Sequence, residues 1–126
     1  MTVCYDLRFP YLYRGLAKSG AKIMTVPSAF SPDTGVAHWE VLLRARAIET
    51  GSYILAPAQC GTHPATRGRQ RSTYGHSMVV DPWGQVVLDA GAAPGVHVVD
   101  LKIEDVDDVR RRIPSLIHER DYTKAQ

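Results

Sequence analysis

Strand, helix and strand follow one another so closely at the start of this chain that few folds remain open to it. Met1, Val3 and Tyr5 alternate with smaller or polar neighbours, the period of a strand end with one apolar, buried face. Leu7 to Lys18 carries Leu7, Tyr11, Leu12 and Leu16 at helical spacing, with Lys18 in the last turn and Gly20 as the stop. Ala21 to Val26 is β-rich again, and Pro27 ends it. Two strands joined through a helix pair in parallel, so the chain opens as an α/β sheet.

Further along, Pro27 to Ala37 reads as a loop rich in Ser, Pro, Asp and Gly. His38 to Thr50 is built of strong helix formers and closed by Gly51. Tyr53 to Ala58 is a second buried strand, and Cys60 to Thr73 a polar, basic loop of fourteen residues, long enough to suggest a functional role. His76 to Val80 and Gln85 to Leu88 flank Asp81-Pro82-Trp83-Gly84, a strong hairpin turn. After a turn at Gly91 to Gly95, the alternation of Val96 to Leu101 predicts a third strand, Glu104 to Arg112 a short polar helix, and the last dozen residues an extended tail. The fold class is therefore α/β with a mixed sheet, parallel at first and antiparallel later.

The 126 residues make one domain at most. Fifteen basic against thirteen acidic side chains leave a charge of +2, too near balance to argue for nucleic acid or an anionic membrane. No apolar run approaches the roughly eighteen residues of a membrane span, and the opening residues do not read as a secretory or transit segment. Cys4 and Cys60 form no Cys-x-x-Cys pair and are too few for a disulfide framework. A reducing cytoplasm is the expected setting.

Cys4 falls where the first strand stops, and Pro10 suits the first turn of the helix that follows. A thiol on a sharp strand-to-helix turn stands clear of the sheet, near a helix end that favours an anion. That is the placement a nucleophile needs. A lone cysteine ending an apolar strand is equally a small core residue, and the residues alone leave both readings open. Cys60 also ends a strand, but no helix follows it, and it reads as structural. Glu40 shares a helical face with Val36, Leu43 and Ala47, where an unpaired carboxylate is costly. Arg44, one turn on, offers the alternative, a surface ion pair worth a few tenths of a kcal/mol.

His38, His63, His76, His97 and His118 show no metal-ligand spacing, so no metal site is expected. His76 reads first as a hydrogen-bonded structural residue, although a triad with Cys4 stays open. Arg67, Arg69 and Arg71 either decorate a solvated loop or grip a substrate carboxylate bidentately. Arg110 to Arg112, beside Asp105, Asp107 and Asp108, read as a surface ion-pair face.

Cys4-Tyr5-Asp6-Leu7-Arg8-Phe9-Pro10 resembles the nucleophile segment of the nitrilase superfamily, the carbon–nitrogen hydrolases. The stretches Gly35 to Glu49, Ala58-Gln59-Cys60-Gly61 and Tyr74 to Gly84 are similar to the same family in the same order. So is the ending, Ile113-Pro114 followed by His118, Arg120, Asp121 and Tyr122. The likeness covers nearly the whole chain and is nearest the branch containing deaminated-glutathione amidase and omega-amidase. Tyr11 departs from it, standing where many relatives have glutamate.

The resemblance implies a four-layer α-β-β-α sandwich, of which this chain would be the C-terminal half, with no cofactor and no metal. It implies that Cys4 attacks the carbon of a small amide, forming a thioester while ammonia leaves. The backbone N–H of Tyr5 would help hold the oxyanion, and Glu40 would match an additional active-site glutamate. His38, Arg67 and Arg71 are the candidate contacts to a substrate that carries a carboxylate. In this family a general-base glutamate and a catalytic lysine both precede the cysteine, whereas only Met1, Thr2 and Val3 do here. The chain by itself is therefore expected to be inactive, and its uncovered apolar faces to drive self-association into a homo-oligomer. The alternative is a truncated paralogue without catalysis, acting as an interaction or regulatory subunit. A third reading is a self-contained thiol hydrolase using His76.

Overall fold

Proline has no N–H to donate, and Pro10 splits the expected first helix in two. Phe9 before it takes φ −108° and ψ 88°, the non-helical backbone a following proline favours. A 3-10 turn over Cys4–Arg8 therefore precedes α1, Pro10–Lys18. The structure, a computed structural model, describes residues 1–65 and 67–120. After α1 come β1 (Ile23–Thr25), α2 (Pro32–Thr50), β2 (Tyr53–Ala56), β3 (Cys60–His63), β4 (Arg71–Tyr74), β5 (Met78–Val80), β6 (Val86–Asp89) and α3 (Glu104–Arg112).

The larger sheet has the order β1-β2-β5-β6, with β1 and β2 parallel and the other neighbours antiparallel. It is mixed, as the sequence implied. Along its strands alternate residues point to one face: Met24, Val26, Ile54, Ala56, Met78 and Val80 are all buried there. Onto that face α1 brings Tyr13 and Ala17, and α2 brings Trp39, Leu43 and Ala47. Each fully buried large side chain contributes on the order of 1.5–3 kcal/mol, so this helix-covered face carries most of the stability. The opposite face is a shallow groove of 480 Å³ between Leu55, Val79 and Leu88 and the segment carrying Val98 and Val99. Among the described residues no helix is long and apolar enough to cross a membrane.

Several expectations are corrected. The first residues do run parallel along β1, through Thr2 N–H to Thr25 O (2.9 Å) and Cys4 N–H to Pro27 O (3.0 Å). Their sidedness is the reverse of the apolar pattern, however. Thr2 is buried, bonding the Tyr13 hydroxyl at 2.6 Å, while Met1, Val3 and Tyr5 are exposed. The helix-covered face takes the even positions, and the odd ones turn outward. Tyr11 is exposed too.

The loop assigned to Pro27–Ala37 is helical from Pro32 onward. Ser31 has the extended backbone of a cap, Pro32 the fixed φ of a first helical residue, and Asp33 complements the helix's positive end. Gly35 is a packing residue: a Cβ there would lie 2.2 Å from the Tyr74 ring. The fourteen-residue loop is a hairpin, β3 against β4, with residues 64–70 connecting them. Val96 to Leu101 forms no strand, since nothing pairs with it among the described residues, and Val96 and Val98 are 93% and 90% exposed. The start of the tail is a turn docked on α1, where Arg14 donates to Ser115 O (2.7 Å) and to Glu119, which also pairs with Lys18. Asp121 and Tyr122 lie outside the described residues. Arg110 is no surface partner: it clamps α3 to the C-terminal end of α2, donating to Thr50 O, Ala21 O and Ser52 Oγ. Burial pulls its pKa below the ordinary arginine value.

Candidate active site

Cys4 has φ +46°, in the left-handed region that residues with a Cβ avoid. Such a conformation costs on the order of 1–3 kcal/mol and persists only where its surroundings hold it. Three contacts do so here. The Cys4 N–H is tied to Pro27 O, Asp6 accepts the Val3 N–H through Oδ2 (2.9 Å), and the Asp6 N–H returns to Val3 O (3.0 Å). Buried Arg46 then fixes the far end of the turn from α2, its Nε donating to Leu7 O at 2.9 Å. Tyr5 lies in the first turn of a 3-10 helix, where a backbone N–H has no intrahelical acceptor.

The turn displays Cys4 at the C-terminal ends of the parallel pair, since Ser28 and Ala58, just beyond β1 and β2, continue that pairing. In open α/β sheets this end is where ligands bind. Cys4 lines two clefts there. One, of 620 Å³, is walled by Pro27, Ser28, Ala58, Gln59 and Ser77. The other, of 260 Å³, is walled by Tyr5, Arg8, Phe30, Ser31 and Thr34. Ala29 borders both, together with a third cleft of 880 Å³ that reaches Arg69, Arg71 and His63. Neither Cys4 cleft has a carboxylate or a lysine among its described lining residues.

The candidates divide accordingly. Cys4 and Tyr5 are together, and His38 joins them through Arg8, whose two terminal nitrogens stand 3.3 Å from His38 Nδ1. Both nitrogens are donors, so that ring atom accepts and the proton sits on Nε2. Arg8 itself went unremarked in the sequence, although its place one turn after Cys4 was a signal. It lies 5.5 Å from the centres of the Tyr5 and Phe30 rings. Arg71 lines the third cleft, and Arg67 lines none of the three. Glu40 is on the outer face of α2 with its side chain 54% exposed, 3.3 Å from Arg44. Val36, expected beside it on a buried stripe, is 76% exposed. Leu43 and Ala47 are buried as expected, but the stripe they belong to continues through Gly35, Trp39 and Arg46 rather than through Val36 and Glu40.

His76 is not in the Cys4 clefts. It too has a positive φ, its carbonyl accepts from Trp39 Nε1 at 2.7 Å, its ring stacks on Tyr74, and Nδ1 lies 3.0 Å from Asp89. Burial works to raise the Asp89 pKa, but the Gly91 N–H and the His76 ring outweigh it and hold the carboxyl below the ordinary aspartate value. Among the described residues no three His, Cys, Asp or Glu side chains gather as a metal site.

A strained cysteine on a strand-to-helix turn occurs on several hydrolase folds, so the geometry alone does not name this one. The family model for carbon-nitrogen hydrolase matches residues 1–111. The chain belongs to the carbon–nitrogen hydrolase family. Within this nitrilase superfamily it is 52% identical over 120 residues to deaminated glutathione amidase of Homo sapiens, an alignment covering 95% of this chain and 36% of that protein. The crystal structure of the C. elegans NitFhit protein superposes with a TM-score of 0.83 at 45% identity, over 95% of this chain and 28% of that one. A mutant of the amidase from Nesterenkonia sp. AN1 matches at 36% identity and a TM-score of 0.66, over 89% of this chain and 41% of that one. In that structure the acetamide moiety of fluoroacetamide is covalently added at the active site cysteine. The carbon–nitrogen hydrolase chain described here thus spans less than half the length of these relatives.

Proposed function

We propose that this chain supplies the nucleophile and the oxyanion donor of an amide-hydrolysing centre. The observation that carries this is Cys4, held at φ +46° on a braced turn and opening onto two clefts. Its sulfur adds to the carbonyl carbon of a small amide, and the Tyr5 N–H stabilises the oxygen that becomes negative. As the oxyanion collapses the C–N bond breaks, the nitrogen takes the proton given up by the thiol, and ammonia departs. Water then adds to the thioester, releasing a carboxylic acid and restoring Cys4. Arg8, steadied by His38, closes one side of the cleft. Glu40 acts at one remove, pairing with Arg44, whose Nε holds the β5–β6 turn at Gly84 O (2.8 Å).

The substrate on this reading is a small primary amide bearing a carboxylate, whose cleavage frees ammonia. The setting is the cytoplasm, and the self-associating protein is a homo-oligomer. A general base and a lysine are absent from the described lining of both Cys4 clefts, so the 126 residues by themselves turn over poorly. General-base catalysis alone is worth ~10²–10⁴-fold. Purified chain assayed for ammonia release from small amides should fall below intact relatives by at least that factor. Turnover close to theirs that depends on Cys4 would show the missing groups to be unnecessary and overturn this division of labour.

A further inference from the structure

Among the described residues Arg46 is the one charged residue buried in the core, 5% exposed. Burying a charge is costly unless it is paired and hydrogen-bonded. Both conditions are met, since Nη1 donates to Glu49 and Nε to Leu7 O, each at 2.9 Å. The carbonyl it serves is one that the backbone itself leaves without a donor. In a continuing 3-10 helix Leu7 O would accept from the N–H of residue 10, and residue 10 is a proline. Leu7 is fully buried, so without the guanidinium its carbonyl would stand unpaired away from water.

The other flank of Cys4 leads to the same side chain. Thr2 Oγ1 donates to Thr25 O (3.1 Å), which uses its single hydrogen, so the Tyr13 hydroxyl donates the 2.6 Å bond to Thr2. The guanidinium carbon of Arg46 lies over the fully buried Tyr13 ring, 5.5 Å from its centre. Thr2 stands two residues before Cys4 and Leu7 three after it. Between these two fixed points Cys4 takes φ +46°.

We propose that Arg46, with Tyr13 beside it, is a positioning residue for the nucleophile. It tethers both flanks of the turn, so that Cys4 stays in the left-handed backbone that turns its thiol toward the clefts. This role rests on the reading of Cys4 as the nucleophile, whereas the tether itself can be tested without it. Lysine is a poor replacement, because one ammonium nitrogen does not span Leu7 O and Glu49 as a planar fork does.

A double-mutant cycle on the 126-residue chain, read by denaturant unfolding, tests the tether. With Cys4 in place, Arg46→Met lets the turn relax and recovers part of its backbone strain. Cys4→Gly has no such strain to recover, since glycine enters left-handed backbone freely. Arg46→Met should therefore shift the unfolding equilibrium about fivefold more in Cys4→Gly than in the parent chain. Equal shifts in the two backgrounds would overturn the tether. Should Arg46→Met not fold, Tyr13→Phe, which removes the bond to Thr2, completes the same cycle with the same sign.

Alkylation by iodoacetamide, followed at both thiols by mass spectrometry, reads the positioning. Cys4 should react faster than Cys60 in the parent chain, and Arg46→Met should cut that advantage about tenfold. Arg46→Lys should recover part of it. Arg110→Met removes a structural arginine clamp on α3, and should lower stability while leaving the ratio of the two rates unchanged. A ratio unmoved by Arg46→Met, or moved as far by Arg110→Met, would overturn the positioning role and leave Cys4 as the nucleophile. A Cys4 no faster than Cys60 in the parent chain would instead end the nucleophile reading and the positioning role together, leaving the cycle to decide the tether alone.

Discussion

Two cysteines end adjacent stretches of this fold, and they could hardly be held more differently. Cys4 stops a segment lying along β1, turns to φ +46°, and leads into helix. Cys60 follows β2, opens β3 opposite Tyr74, and packs in ordinary sheet geometry against Gly75. Both are half-buried free thiols. What separates them is the backbone that comes next. A strand that runs on into another strand keeps its side chain within the pleat, whereas one that breaks into a helical turn lifts it clear of the sheet. The bracing follows the same division. Asp6, Pro27 and Arg46 are committed to the Cys4 turn, while Tyr74, His76 and Asp89 brace the Cys60 side.

The largest expected contrast is in catalysis. In an active protein carrying this chain, Cys4→Ala should cost at least ~10⁴-fold in ammonia release, the scale of losing a nucleophile. Cys60→Ala should leave the rate within about twofold. Comparable losses at both positions would erase the distinction drawn here.

A contrast in sign should appear in stability. At Cys4 the left-handed backbone favours glycine, so Cys4→Gly should be more stable than Cys4→Ala by about 1 kcal/mol. At Cys60, within a strand, the order reverses, and Gly should be worse than Ala by roughly 0.5–1 kcal/mol. Denaturant unfolding of the four variants measures both differences, and the same sign at both sites would contradict the backbone assigned to Cys4.

The smallest effect is in acid and is confined to the Cys60 side. Asp89's carboxyl titrates below its unfolded value because the Gly91 N–H and the His76 ring outweigh the burial that opposes its charge. Its contribution is thus fully present above the unfolded value, near 3.9. It is lost as pH falls through the lower folded value. Tm measured down through that range should decline less steeply in Asp89→Asn, with the Cys4 turn unaffected.

Much of this organisation could be read from neighbouring residues. Glu104–Arg112 was legible to the residue because acidic first turn, basic last turn and following proline are all local signals. The turn at Asp81 to Gly84 was legible for the same reason, as Asp81 Oδ1 accepts from Trp83 and Gln85 nearby. The helix start at Pro32 was written in Ser31, Pro32 and Asp33, but the same residues also spell a loop. Long-range contacts settled that question, with Tyr74 lying over Gly35. Val96 to Leu101 alternates as a strand does, yet alternation has no consequence without a partner to pair with.

The candidate site shows the same limit. The Cys4 turn could be seen in ten residues, but the joining of Arg8 to His38, and of Arg71 to His63, could not. The first joins residues 30 apart in the chain, and the second joins partners across a hairpin whose residues the sequence reads as a loop. The surroundings of Glu40 stayed open in the sequence because helical spacing tells which residues share a face and not which face the sheet will cover; the structure shows the pair with Arg44.

By itself the sequence determined the opening alternation of strand and helix, the hairpin turn at Asp81 to Gly84 and a cysteine at a break between strand and helix, because these follow from dihedral preferences and local spacing. Its longer motifs carried the resemblance to the family. Only the tertiary structure decided which face of each element is buried and which cationic side chains reach the clefts beside Cys4. Those are outcomes of packing among distant segments, and packing is where an ambiguous local pattern acquires a single meaning.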